Sequence, residues 1–218
     1  MKNNNRKVLK IAVDVAMAAV LVAVMATALV QEVPHEWLGL ALFVLLIAHI
    51  LLNRRWLGAV FRGRYSAVRV LQVATIVGLL VCMLGQVASS LVISKHAFAV
   101  LPALPGAAWA RKVHLICSYW SFVLAFAHAG LHVRAPRKLQ AWQVWALRIA
   151  FFVVAAFGAY SFVRLGLPAY LAGQVQFAAV DTTTPLGLVI AQYASVAVLV
   201  AGLFYYLRKA LGIKKADK

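Results

Sequence analysis

Four of the chain's histidines form two pairs of equal interval, His35 with His49 and His114 with His128, fourteen residues apart in each case. A neutral imidazole has one nitrogen lone pair to offer a metal, and a histidine set in hydrocarbon must find a partner of some kind. At 100° per residue, fourteen positions close four helical turns to within about 40°, so the rings of a pair share one face ~21 Å apart along the axis. Any one such ring could be a satisfied structural hydrogen bond. The repeated interval is what favours ligation: two imidazoles from facing helices fill both axial positions of a b-type haem iron, and two such helices can hold two stacked haems.

The elements that position these rings must cross a membrane. With 65% hydrophobic residues, 12% charged residues and a mean hydropathy of +0.89, the chain cannot present an ordinary water-facing surface. Apolar stretches over 8–30, 35–52, 68–93, 111–133, 142–163 and 186–208 approach the ~20 residues of a spanning helix. The expected fold is therefore all-α, one transmembrane domain over 1–218 with six spanning helices. The first stretch is long and has no small-residue cleavage site before Pro34, so it is expected to stay as helix one.

The net charge of +17 sorts by side of the membrane and so does not point to nucleic acid. With a cytoplasmic N-terminus, 18 cations fall inside, from Lys2, Arg6, Lys7 and Lys10 to the tail at Lys218, against Lys95, Arg111, Lys112 and Arg164 outside. That asymmetry predicts both termini in the cytoplasm. Helices two and four then both run from outside to inside, which sets His35 level with His114 and His49 level with His128. His35 and His114 are the expected ligands of an outer haem iron, His49 and His128 of an inner one. Their ~21 Å separation fits within a hydrocarbon core of ~30 Å.

Other residues compete for roles. His132 lies on the same face as His114 but one turn deeper than His128, mismatching the His35 to His49 interval by ~6 Å. It is the alternative inner ligand, a propionate partner, or half of an i,i+4 zinc or copper pair with His128. Gly39, one turn past His35, and Gly130, near His128, could let a flat macrocycle approach, or serve helix contacts. Arg111 and Lys112 outside and Arg54, Arg55 and Arg69 inside stand at depths suited to haem propionates, as they do to surface anchoring. Asp14, a carboxylate below the inner interface, needs a partner: a neighbouring arginine or histidine, or a role in handling protons. Glu32 and Glu36 flank His35, and a helix-dipole position accounts for Glu36. His96 is expected to be solvated. Cys82 and Cys117, with no Cys-x-x-Cys-His pattern, read as packing residues and exclude covalent haem. Trp37, Trp109 and Trp120 could border a quinone site or form an aromatic belt.

The chain resembles a family of small bacterial membrane proteins, formerly uncharacterised and regarded as cytochrome-like, often encoded beside flavinylated extracytosolic flavoproteins. The resemblance rests on Pro34-His35-Glu36-Trp37-Leu38-Gly39 with His49 and Asn53, an Arg54-Arg55-Trp56 turn, and the His114 to His132 helix. It extends to Leu167-Pro168-Ala169-Tyr170 with Phe177 and Asp181. It implies a multi-pass protein of the bacterial inner membrane that carries electrons between a quinol pool or cytoplasmic-side donor and a separate extracytosolic flavin or iron–sulfur protein. A quinone is a further candidate ligand, and quinol oxidoreductase activity a candidate reaction. The histidine interval is similar to that of the cytochrome b subunit of quinol-oxidising complexes. No flavin-binding domain is fused here. Asp181-Thr182-Thr183-Thr184 lacks the glycine and alanine of flavinylation motifs and suits helix capping better. Two other readings stand beside this one: a metal-ion or proton transporter using the histidines and Asp14, and a haem-free anchor of a redox complex.

Overall fold

Sequence hydropathy dictates the architecture almost directly. A computed structural model describes residues 2–27, 31–60, 65–100, 102, 104–134, 139–178 and 183–213. Among the described residues the chain is helical without strands, and six of its helices are long and apolar enough to cross a membrane. They are α1 (Lys2–Thr27), α2 (Glu32–Ala59), α3 (Ala67–Ile93), α4 (Ala107–His132), α5 (Ala141–Arg164) and α7 (Leu186–Ile213). A short α6 (Leu167–Leu171) lies between the last two. The chain is a multi-pass membrane protein, and its many exposed leucine, valine and phenylalanine side chains on α2, α3 and α5 suit a lipid surround.

Local chemistry sets the boundaries. Pro34 sits in the first turn of α2, where its missing N–H costs nothing. Ser66 caps α3 by accepting from the Arg69 backbone N–H at 3.3 Å. Gln140 and Gln143 close a capping box at the start of α5. Gly166 and Gly173, at φ +69° and +67°, turn the chain into and out of α6, which the hydropathy pattern does not mark. Helix α2 also continues through Arg54, Arg55 and Trp56, so the turn expected there is helix. The same helix starts at Glu32, three residues before the start expected at 35. Arg62, Arg64, Arg137, Lys138, Asp181, Thr182 and the lysines beyond Ile213 lie outside the described residues.

Contacts between helices give their directions. Helix α1 is antiparallel to α2, with Lys10 Nζ donating to Asn53 at 2.8 Å and Val24 meeting His35. Helix α3 is antiparallel to α4, Gln86 donating to Ser118 at 2.8 Å. Helix α4 runs parallel to α7: Tyr119 meets Tyr193, and further along both helices Arg208 donates to the Leu131 carbonyl. The densest core joins the second half of α1 to α4, α6 and α7, around Phe122, Leu167, Tyr193 and Val196, with Tyr119 stacked on Tyr170 at 4.0 Å. Helix α5 covers α7, where Gly158 lets the Ser195 backbone come close. Helix α2 is peripheral. It packs along α1 and, among the described residues, makes no close backbone approach to α3 or α4.

Candidate functional site

Each histidine-bearing helix is one arm of an antiparallel hairpin, α1–α2 or α3–α4, and the other arm supplies what holds the ring. His35 Nδ1 lies 3.0 Å from the Val24 carbonyl oxygen on α1. His49 Nδ1 lies 2.7 Å from a carboxylate oxygen of Asp14, also on α1. His114 Nδ1 meets the hydroxyls of Ser89 and Ser90 on α3, at 3.3 and 3.4 Å. A carbonyl and a carboxylate only accept, so the first two rings must donate from Nδ1. The Ser89 hydroxyl already donates to the Gly85 carbonyl at 2.6 Å, so its free lone pair takes the His114 proton. His35 and His49 are thereby fixed with the lone pair on Nε2, the state that a metal ligand needs, and the Ser89 contact suits the same tautomer at His114.

The first pair is brought together. The rings of His35 and His114 stand with centroids 6.0 Å apart and planes at 69°. Two imidazoles sharing one metal at ~2.0 Å each would place their ring centres about 6 Å apart. The backbones of α2 and α4 stay apart at this level, so the gap between them is bridged by the two rings rather than filled by packing. Gly39 lies one turn along α2 from His35, and a Cβ there would meet nothing within 4 Å. A helix contact therefore does not explain Gly39. Gly130 is the reverse: a Cβ would come 2.1 Å from the Ala201 carbonyl, so this glycine serves the α4–α7 contact and not a macrocycle.

The second pair is set differently. Because α2 and α4 are parallel, His49 and His128 lie a further fourteen residues along from the first pair, and His49 is within electrostatic range of His128. The Asp14–His49 contact is extended by Asn53, whose Nδ2 donates to the His49 carbonyl at 3.0 Å and whose Oδ1 accepts from Lys10 at 2.8 Å. His128 Nδ1 is buried and has no hydrogen-bond partner among the described residues. An orphaned polar atom of this kind costs about 1–3 kcal/mol and asks for an explanation. His132 is exposed, donates from Nδ1 to the His128 carbonyl at 2.9 Å, and lies beside the His128 ring at 4.5 Å.

The remaining candidates fall around these levels. Arg111 is exposed and lies over the Phe177 ring at 5.6 Å, beside a cavity of about 270 Å³ that Trp109 and Lys112 also line. Arg54 is exposed on the last turns of α2. Arg69 donates to the Val60 carbonyl at 3.0 Å and lies over Tyr65, holding the approach to α3. Trp120 donates to the Leu171 carbonyl at 3.0 Å. Cys82 and Cys117 are free thiols that meet across α3 and α4, where Gly85 leaves room for the Cys117 sulfur.

One arrangement was not read from the sequence at all. The Glu36 carboxylate accepts from the Ser94 hydroxyl at 2.6 Å and from the backbone N–H groups of Lys95, His96 and Ala97 at 2.9, 3.0 and 2.8 Å. It clasps α2 to the end of α3 one residue from His35. Glu32 pairs with Lys95 at 2.7 Å, and Glu32, Glu36 and His96 gather their ligand atoms within 4.8 Å of one another. With Glu36 saturated by donors and Glu32 paired to a lysine, that cluster is a structural clasp. No known family model, characterised protein or solved structure matches the chain.

Proposed function

We propose that this protein is a dihaem b-type cytochrome that carries electrons across a bacterial inner membrane. The observation that carries the reading is the His35–His114 pair: two imidazoles from non-packing helices, facing at 6.0 Å, with each Nδ1 committed to an oxygen. His35 and His114 would hold the outer haem and His49 and His128 the inner. Bound there, the group supplies a reversible one-electron centre. The Val24 carbonyl, the serine hydroxyls and the Asp14 carboxylate would orient the rings of His35, His114 and His49. His128 is favoured over His132 as inner ligand because it is half-buried with its Nδ1 enclosed, while His132 is exposed at the end of α4.

The charge asymmetry of the chain supports cytoplasmic termini, with the His35 level outside. The family resemblance supports a quinol or cytoplasmic-side donor and a separate extracytosolic flavin or iron–sulfur acceptor. Arg111 and Lys112, exposed beside the outer level, suit docking of an acidic face of such a partner. One observation favours a second reading. The Asp14–His49 contact, extended by Asn53 and Lys10, is the sort of charged cluster that a proton or metal-ion carrier uses.

Colour separates them. Oxidised and dithionite-reduced spectra of the purified protein, with a pyridine haemochrome count, should show two b haems per chain. A protein that stays colourless after haem-replete expression sinks the cytochrome reading. His49→Ala and His128→Ala should each remove the inner haem alone. If His132→Ala removes it and His128→Ala does not, the inner ligand is His132.

A further inference from the structure

The two histidine levels differ in what holds Nδ1, and that difference bears on the direction of electron flow. At the outer level the Nδ1 partners are neutral, the Val24 carbonyl for His35 and serine hydroxyls for His114. The one carboxylate acting on His35, Glu36, makes no contact with the ring and is spent on the Ser94 hydroxyl and three backbone N–H groups. At the inner level His49 faces a carboxylate at 2.7 Å. An imidazole that donates to a carboxylate gains electron density at its other nitrogen and becomes a stronger donor to a ferric ion, and the negative charge itself favours the higher oxidation state. A neutral acceptor does neither to the same degree.

Resting on the dihaem reading, we infer that Asp14 makes the His49 level the low-potential centre, so that single electrons run from the inner level to the outer. Asp14 is a positioning residue: it touches the ligand and not the iron. No bond forms or breaks in the transfer; one centre loses an electron and the other gains it. The opposing charge nearby is Lys10, one turn from Asp14 on α1. Its ammonium is held by Asn53 Oδ1 at 2.8 Å, whereas the carboxylate is in direct contact with the ring. Arg208, half-buried, spends its guanidinium on the Leu131 carbonyl at 2.8 Å, on the His128 side and away from His49, and the exposed Arg54 and Arg55 are screened within a Debye length of ~10 Å. The contact carboxylate therefore outweighs them.

The test is a redox titration of the haem-loaded full chain in detergent at one fixed pH, following the reduced absorbance bands. Wild type should show two components, and the one lost in His49→Ala should be the lower. Asp14→Asn should raise that lower component and leave the upper in place, while Asp14→Glu returns it towards wild type. A ferric low-spin EPR signal assigned to the inner haem should move with the same variants. Two haems with an unmoved lower component in Asp14→Asn would overturn the inference and leave the cytochrome reading standing. Loss of the upper component in His49→Ala would overturn it as well, with no need for an Asp14 variant to fold. A chain without haem would overturn both.

Discussion

Ser89 Oγ and His114 Nδ1 meet at 3.3 Å across the α3–α4 contact, and the register of that contact sets a second buried hydroxyl at the level of His128. Gln86 lies against Ser118, a Cβ on Gly85 would meet Cys117, and one on Gly78 would meet Leu124. Carried along the same antiparallel register, the position fourteen residues before Ser89 is Thr75, at the level of His128. Ser89 and Thr75 are both fully buried hydroxyl residues, at 0% and 4% exposure, so α3 carries the same interval as α4. The Thr75 hydroxyl donates to the Gln72 carbonyl at 2.9 Å, which leaves its lone pairs for the unpartnered His128 Nδ1.

Thr75→Val should therefore alter the inner haem alone, and Ser89→Ala the outer alone. Ser89→Ala removes an acceptor that His114 meets, a change of about 0.5–1.5 kcal/mol in holding the ring, and Thr75→Val removes the buried hydroxyl that the register sets at the His128 level. The expected result is a displaced reduced-band maximum or EPR signal at one level, with Thr75→Ser restoring the inner signal. Thr75→Val with both levels unchanged would show that the shared interval on α3 is packing.

Glu36 supports a second prediction. Its carboxylate gathers one hydroxyl and three backbone N–H groups, and hydrogen bonds to a charged acceptor contribute about 1.5–3 kcal/mol each before desolvation is counted. Glu36→Gln keeps one acceptor oxygen and substitutes a donor for the other, setting an N–H against N–H. A loss of ~1–3 kcal/mol in stability is expected, read as a lower Tm in detergent. Because the clasp lies beside His35, hydrogen exchange should rise at Lys95, His96 and Ala97, and the outer haem should dissociate faster than the inner. Equal loss from both levels would mean that Glu36 acts on the bundle as a whole.

How far the sequence could carry this follows from what kind of signal each feature leaves. Hydropathy marks the long helices because a spanning helix must be apolar over most of its length. Helix α6, of 5 residues between two glycines, is too short to leave a period. The histidine interval marks a common face on α2 and on α4, but the meeting of His35 with His114 depends on the direction of the helices, which needed the charges. The Val24 partner of His35 is a backbone carbonyl and has no sequence signature. Asp14 was legible as a carboxylate in need of a partner, though not as the partner of His49 rather than of an arginine. Glu36 was attributed to the helix dipole because its donors are 58 or more residues away, three of them backbone groups. The fourteen-residue interval from Thr75 to Ser89 was present in the sequence and was hidden by the frequency of hydroxyl residues in membrane helices.

Gly39 and Gly130 give the sharpest contrast between an open position and a packing contact. At Gly130 an added Cβ would lie 2.1 Å from the Ala201 carbonyl and 2.8 Å from its carbon, both backbone atoms that cannot rotate away. Helices α4 and α7 would have to separate, so Gly130→Ala should cost ~1–3 kcal/mol and lower the Tm whether or not haem is present. At Gly39 nothing lies within 4 Å, and replacing a mid-helix glycine by alanine adds helix propensity of about 1 kcal/mol. Gly39→Ala should thus leave the haem-free chain as stable as wild type or more so. Its larger relative Gly39→Leu would put a branched side chain into the open space one turn from His35. The expected outcome is a folded protein with the outer haem reduced in occupancy and the inner retained. If Gly39→Leu loads both haems like wild type, the open space beside Gly39 faces lipid and the macrocycle lies elsewhere along the His35–His114 gap.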